Sequence, residues 1–229
     1  MYMESEYKYK TDLHCHTAEA SGCASEGGAA TVEKYINCGY TSVAITNHFS
    51  TNHFRNFGGS YEAFVDRFFR AVDVAREAAD GRINVLAGLE MKTGDSFNDY
   101  LVYGVDKEIM LSIPNIFETY ITDYYPFFSE RGCLVIQAHP MRFGITLGDP
   151  EWVDGFEVIN THPGWESHNN IAAIWAKEVG GPGKILTAGT DHHDGHHIPT
   201  SGILTKEPIV TDRQLVEVLK SGDYRLFGK

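Results

Sequence analysis

The chain has 229 residues, 42% hydrophobic and 22% charged, which is enough for one sizeable core. Its formal net charge of −12 argues against non-specific nucleic-acid binding, which needs clustered Lys and Arg. The start, Met1-Tyr2-Met3-Glu4-Ser5-Glu6, lacks a basic segment followed by an apolar one, and no run is long enough to span a bilayer. No signal peptide and no membrane partner are expected, and the expected location is cytoplasmic.

Apolar runs of strand length alternate with helical patterns. Tyr7 to His16 reads as a first strand. Thr31 to Cys38 reads as a short helix closed by Gly39. Ser42 to Thr46 is a second strand. Tyr61 to Ala79 is the longest amphipathic stretch, with Phe64, Phe68, Ala71, Val72, Ala75 and Ala79 on one face, and Asp80-Gly81 ends it. Ile83 to Glu90 and Asp99 to Val105 are strands, the latter rich in Tyr and Val. Ile116 to Phe128 is a helix carrying an unfavourable Pro126. Strands follow at Cys133 to Ala138 and Gly155 to Ile159. Asn169 to Val179 is a helix, stopped by Gly180-Gly181-Pro182-Gly183. Lys184 to Gly189 is a strand, Gly202 to Leu204 a shorter one, and Asp212 to Lys220 a helix. No repeat, low-complexity tract or linker interrupts this order, so residues 1–229 are expected to form one domain. Strand–helix alternation predicts a parallel sheet. About seven strands fit a closed or distorted barrel better than an open sheet.

The four cysteines, Cys15, Cys23, Cys38 and Cys133, make no CxxC pair and no disulfide framework. Cys38 and Cys133 read as small buried hydrophobes.

The chemistry-bearing residues stand at the ends of apolar runs. His14 and His16 close the first strand, Asn47 and His48 the second, Glu90 the third. His139 follows Cys133 to Ala138, and Asp191 and His193 follow Ile185 to Thr190. In a parallel barrel these ends meet on one face, and converging imidazoles and carboxylates make a metal site. His14 and His16 are two apart, so on a strand both point to one side. On an exposed edge the same spacing would be two surface histidines. Asp12 is a candidate for orienting one of the imidazoles. Glu90 emerges from a fully apolar strand, which favours a paired or metal-bound carboxylate. His139 reads either as a ligand or as a buried histidine bonded to backbone. In Asp191-His192-His193-Asp194-Gly195-His196-His197, Asp191 and His193 share a face and His192 points away.

Taken together, Asp12-Leu13-His14-Cys15-His16-Thr17, Thr46-Asn47-His48, Gly88-Leu89-Glu90, Ala138-His139-Pro140 and Gly189-Thr190-Asp191-His192-His193 resemble the PHP (polymerase and histidinol phosphatase) family, in the family's order. The resemblance implies a distorted (β/α)7 barrel, a centre of two or three divalent metals (Zn, Mn or Fe), and phosphoester hydrolysis as the commonest activity. It implies that His14, His16, Glu90 and Asp191 hold one metal, Glu90 and His139 a second, and His48 and His193 contribute to a third. Asn47 replaces the usual Asp. Cys23 stands where the family has His and is a candidate third-metal ligand. Asp99 is a candidate ligand of the second.

For a phosphate, Arg142 lies just after His139-Pro140, and Arg55 and Lys92 are further candidates for substrate binding. The leading expectation is a metal-dependent phosphoesterase on a small phosphorylated substrate, with Asp191 or His193 handling the proton. Amidohydrolase-like hydrolysis of a non-phosphate substrate and a non-catalytic metal-bound module of a larger assembly are the alternatives. The complete ligand set argues against the module.

Overall fold

The computed structural model describes residues 6–94, 96–113 and 120–228. The elements in chain order are β1 (Tyr9–Cys15), α1 (Gly28–Asn37), β2 (Ser42–Ile45), β3 (His48–Phe49), α2 (Thr51–Phe57), α3 (Tyr61–Ala79), β4 (Asn84–Lys92) and β5 (Asp99–Tyr103). Then come α4 (Lys107–Leu111), α5 (Ile121–Glu130), β6 (Leu134–Gln137), β7 (Gly155–Asn160), α6 (Asn169–Glu178), β8 (Ile185–Gly189), β9 (Gly202–Thr205), α7 (Asp212–Ser221) and β10 (Arg225–Phe227). The expected 116–128 helix begins instead at Ile121 and runs through Pro126 to Glu130; residues 116–119 lie outside the described residues.

The strands form one sheet in the order β10-β9-β1-β2-β4-β5-β6-β7-β8, with β3 beside β4. The sheet is mixed, which corrects the expectation of parallel pairing throughout. β1, β2 and β4 are parallel, as are β6, β7 and β8. β5 runs antiparallel to both β4 and β6. The reason is local: only residues 93–98 join β4 to β5, and a parallel crossover needs about a dozen residues or more. The reversal puts the first residue of β5, Asp99, opposite Lys92 at the end of β4. β9 and β10 add antiparallel strands on the outer side of β1.

The barrel nearly closes where the chain leaving β8 meets β1. The Asp191 N–H donates to the His14 carbonyl at 2.8 Å, and the His16 N–H donates to the His192 carbonyl at 2.9 Å. The approach requires Gly189, since a Cβ there would lie 2.3 Å from the His14 Cβ.

Side chains alternate across this wall with the period of two that strands impose. Leu13, Ala44, Leu86, Leu101, Tyr103, Leu134 and Ile136 face the interior. Val43, Ile45, Val85 and Ala87 face outward under α1 and α3, while Tyr100, Val102 and Val135 do so nearer α3, α5 and α6. α7 brings Leu215 and Leu219 to the interior cluster. It lies at the end where the parallel strands begin, since Ser42 Oγ donates to the Ile209 carbonyl and Gly104 abuts Val216. The opposite end is left to polar side chains. Cys133 is buried as expected, whereas Cys38 is only partly so. Among the described residues no helix is long and apolar enough to cross a membrane.

Gly189→Ala tests the closure. Forcing a methyl into this contact is expected to destabilise the protein by about 1–3 kcal/mol, a fall in Tm of roughly 2–12 °C for a chain of this size. A melting curve that superimposes on wild type would show that β8 and β1 do not meet there.

Candidate metal centre

All seven main ligand candidates converge at the polar end of the barrel. His14 and His16 are fully buried, Glu90, Asp191 and His139 nearly so, and His48 and His193 are partly exposed to a cavity. His14 Nε2 and His16 Nε2 are 3.1 Å apart. Glu90 Oε1 is 3.3 Å from His14 Nε2, Glu90 Oε2 is 3.3 Å from His16 Nε2, and Asp191 Oδ1 is 3.4 Å from both. His14, His16 and Asp191 thus aim their ligand atoms at one point, and Glu90 borders it with one oxygen toward each imidazole. Glu90 also reaches His139 Nε2 at 3.1 Å through Oε1 and His48 Nδ1 at 2.7 Å through Oε2. It is the one carboxylate shared by all these imidazoles.

The tautomers follow from the outer contacts. Glu157 Oε1 lies 2.9 Å from His14 Nδ1, and a carboxylate can only accept, so Nδ1 carries a proton and Nε2 turns its lone pair inward. Ser21 Oγ donates to Asn47 Oδ1 at 2.9 Å and therefore accepts from His16 Nδ1 at 3.1 Å, which leaves His16 Nε2 free. His193 Nδ1 faces the Asp191 carbonyl at 2.9 Å, with the same result at its Nε2.

One expectation about a supporting residue is corrected here. Asp12 orients backbone rather than an imidazole: it accepts from the N–H groups of His14 at 3.1 Å and Thr190 at 3.0 Å, and from the Tyr35 hydroxyl at 2.9 Å. The imidazole-orienting carboxylate is Glu157, which also accepts at Oε2 from the His139 N–H and from Asn160 Nδ2. Its signal in the sequence was a lone carboxylate within the apolar strand Gly155–Asn160. Asn47 is a bracket: it accepts from the Thr17 N–H at 2.7 Å and donates to Thr17 Oγ1 at 3.1 Å, which a carboxylate could not do.

The two ligands that follow strands β6 and β8 sit in unusual backbone. His139 has φ +28° and Asp191 φ +57°, a region costly for side-chain-bearing residues, though Asp tolerates it better than most. Each turn carries its side chain back over the barrel mouth. His192 points away, as expected, to Glu26 Oε2 at 3.1 Å.

Charge is balanced within the cluster. Burial works against ionising Glu90 and Asp191, but facing imidazoles, and Arg142 for Asp191, hold both well below the usual carboxylate range. Burial likewise disfavours charge on His14 and His48, yet the surrounding carboxylates raise both. His16 has its pKa lowered by burial and by His48 and His193. Cys23 is exposed; burial raises its thiol, but hydrogen bonds with His193, His48 and His53 outweigh this and bring it down to about 4. Cys23 lines the cavity wall together with His48 and His193.

The residues fit a group of divalent cations. The donor set is imidazole and carboxylate, which suits Zn, Mn or Fe. His139 Nδ1 is buried without a hydrogen-bond partner. Candidate clusters include His14, His16 and Asp191; His48, Glu90 and Asp99; and His16, His48 and His193. Asp99 reaches the second because β5 is reversed.

A cavity of about 660 Å³ opens above the cluster and is lined by Cys23, His48, Glu90, His139, Asp191 and His193, with Arg142, Lys92, His162 and Trp165 around them. Arg142 is anchored: its Nη2 donates to Asp191 Oδ2 at 2.8 Å and Asn160 Oδ1 at 2.8 Å, while its Nε is buried without a partner. Lys92 also lines the cavity but is paired with Asp99 at 3.2 Å. Arg55 lies exposed on α2 and is not among the residues that line this cavity. His53 and His162 escaped the sequence reading because neither ends an apolar run.

No protein-family model matches the sequence, and no curated protein does. Solved structures do match in fold. A two-domain protein from Bacteroides vulgatus, described as containing a predicted PHP-like metal-dependent phosphoesterase, superimposes with TM-score 0.69 at 15% identity, covering 98% of this chain and 66% of that one. This chain therefore spans just under two thirds of that protein. PsfC from Pseudomonas syringae gives TM-score 0.70 at 12% identity, covering 96% and 91%. Endonuclease Q, in complex with a 27-mer duplex bearing an abasic lesion, gives 0.59 at 10% identity, covering 93% and 56%. The fold is thus a distorted barrel similar to that of the protein containing a predicted PHP-like metal-dependent phosphoesterase.

Proposed function

We propose that the protein is a metal-dependent hydrolase that cleaves a small phosphomonoester. The observation that carries this reading is the convergence of His14, His16 and Asp191 on one point, with Glu90 bordering it and a cavity-facing Arg142 beside it. His14 and His16 Nε2, Glu90 and Asp191 Oδ1 would hold one cation. Glu90, His139 and Asp99 would hold a second, and His48, His193 and Cys23 a third. Bound divalent cations ionise water near neutral pH and draw charge from phosphoryl oxygens. Arg142 would grip non-bridging phosphate oxygens. Water attacks phosphorus, the P–O bond to the alcohol breaks, and the alcohol leaves with a proton. With two cations held, His193 Nε2 is the atom placed to move that proton; with a third, it is a ligand. In that case Asp191, whose two oxygens are divided between the imidazoles and Arg142, is the remaining carboxylate beside the reacting groups.

A phosphate within a nucleic acid is the second reading, favoured by the fold shared with Endonuclease Q. The net charge of −12 favours the small ester. Phosphate release from a panel of monoesters and strand scission of an abasic duplex, each with and without added Mn²⁺ or Zn²⁺, separate the two. Hydrolysis of carboxylic esters or amides alone would favour the amidohydrolase-like alternative.

Three outcomes follow from the geometry. Glu157→Gln keeps the shape beside His14 but loses the carboxylate that fixes its tautomer, so metal affinity is expected to fall about 10–100-fold. Unchanged metal affinity by competition with a chelating dye would remove Glu157 from this role. Arg142→Ala is expected to retain metal and raise KM, lowering kcat/KM by the ~1.5–3 kcal/mol of a charged hydrogen bond; unaltered kinetics would exclude it from phosphate binding. The third concerns protons. Burial opposes charge on His14, but the facing carboxylates raise its pKa well above the ordinary 6.5, so a proton competes with a cation for Nε2. Metal affinity should therefore weaken as pH falls through and below neutrality. Calorimetry in buffers of different ionisation enthalpy should register proton release at pH 7, and none at all would contradict the assignment.

A further inference from the structure

The cavity mouth carries apolar surface that catalysis on phosphate does not need. Phe143 is 93% exposed, Phe97 75% and Trp165 57%, and all three line the cavity that holds Arg142 and the metal ligands. Scattered exposed hydrophobes are ordinary, but rings converging on one opening are not. They come from three separate connections: β4 to β5, β6 to β7, and β7 to α6. Among the described residues neither Phe97 nor Phe143 has an aromatic partner. Trp165 is the exception in one respect: the Arg142 guanidinium lies 6.0 Å from its ring centroid. The group placed to grip phosphate and the largest ring of the rim are therefore adjacent.

Resting on the phosphomonoesterase reading above, we propose that the alcohol of the substrate carries a planar aromatic ring, which stacks on Trp165 with Phe143 and Phe97 closing its edges. Two features favour an aromatic ring over a sugar or polyol. A polyol would have to bury several hydroxyl groups against rings that offer no acceptor and, in the Trp165 indole N–H, a single donor, an expensive exchange. A flat ring instead gains offset-stacked or edge-to-face geometry with each of them. The partly buried His162 and the Asp194 carboxylate, both in the cavity lining, supply polar partners for heteroatoms at the ring's rim.

The test uses the Mn²⁺-replete full chain and three phosphate esters of primary alcohols, so that leaving-group chemistry stays similar. They are benzyl phosphate, cyclohexylmethyl phosphate and glycerol 3-phosphate. kcat/KM for the benzyl ester is expected to exceed both others by about tenfold. Trp165→Ala should bring the benzyl-to-cyclohexylmethyl ratio close to one, and Trp165→Phe should restore most of it. Exposed Trp165 can be replaced with little risk to folding, and metal content checks each variant. Equal rates for benzyl and cyclohexylmethyl phosphate would overturn the aromatic assignment and leave the phosphoesterase reading standing. So would a ratio that survives Trp165→Ala combined with Phe143→Ala. No phosphate release from any of the three esters would overturn both.

Discussion

The structure depends on the seam at which the barrel closes. Asp12 accepts hydrogen bonds from the backbone of His14 and of Thr190, residues 176 positions apart that carry or adjoin the ligands. The Asp191 N–H then donates to the His14 carbonyl, and Gly189 lets the two backbones touch. Without that seam, His14 and His16 would belong to one end of a sheet and Asp191 and His193 to the other. His14, His16 and Asp191 come together only because the sheet curls until its two ends share hydrogen bonds.

Burying so many ionisable groups would be prohibitive if they were not paired. Glu90 sits among His14, His16, His48 and His139, and Asp191 lies between imidazoles and Arg142. Burial pushes Asp12 up to about 6, against its neutral hydrogen-bond donors, whereas Glu90 and Asp191 are driven down by the imidazoles around them and, for Asp191, by Arg142. The same residue type thus serves two purposes. Asp12 holds backbone in place, and Asp191 is kept ionised where a cation can use it. Glu157 adds a third use, fixing the His14 ring and, through the His139 N–H, the strained turn that presents the neighbouring ligand.

The rim follows different rules from the centre. Ligand positions come from strand ends and the turns directly after them, where the sheet dictates direction. Phe97, Phe143 and Trp165 come from connections, where sequence can vary without disturbing the barrel. A division of this kind would let one scaffold keep its polar centre while the surrounding loops vary what the cavity mouth accepts.

Much was legible in the sequence because strands and ligands follow local rules. Period-two and period-3.6 patterns located β1, β2, α3, β6, β7, α6, β8 and α7 to within a few residues. The spacing of His14 and His16 put both rings on one side, and apolar runs ending in Glu90, His139 and Asp191 marked the barrel's polar end. The short elements β3, α2, α4 and β10 escaped because they are held by their neighbours rather than by a pattern of their own. Direction of pairing was the larger omission: the reversal of β5 rests on the six residues between it and β4, and it decides where Asp99 lies. Glu157, Ser21 and Asn47 act through contacts with residues far away in the chain, so nothing adjacent to them announces their roles. By itself the sequence determined which residues can bind metal and that strands would carry them, since those are properties of side-chain chemistry and local periodicity. Only the tertiary structure decided which nitrogen of each imidazole faces inward, which carboxylate is shared, and which cation faces the cavity, because each of these is set by hydrogen bonds formed across the closed barrel.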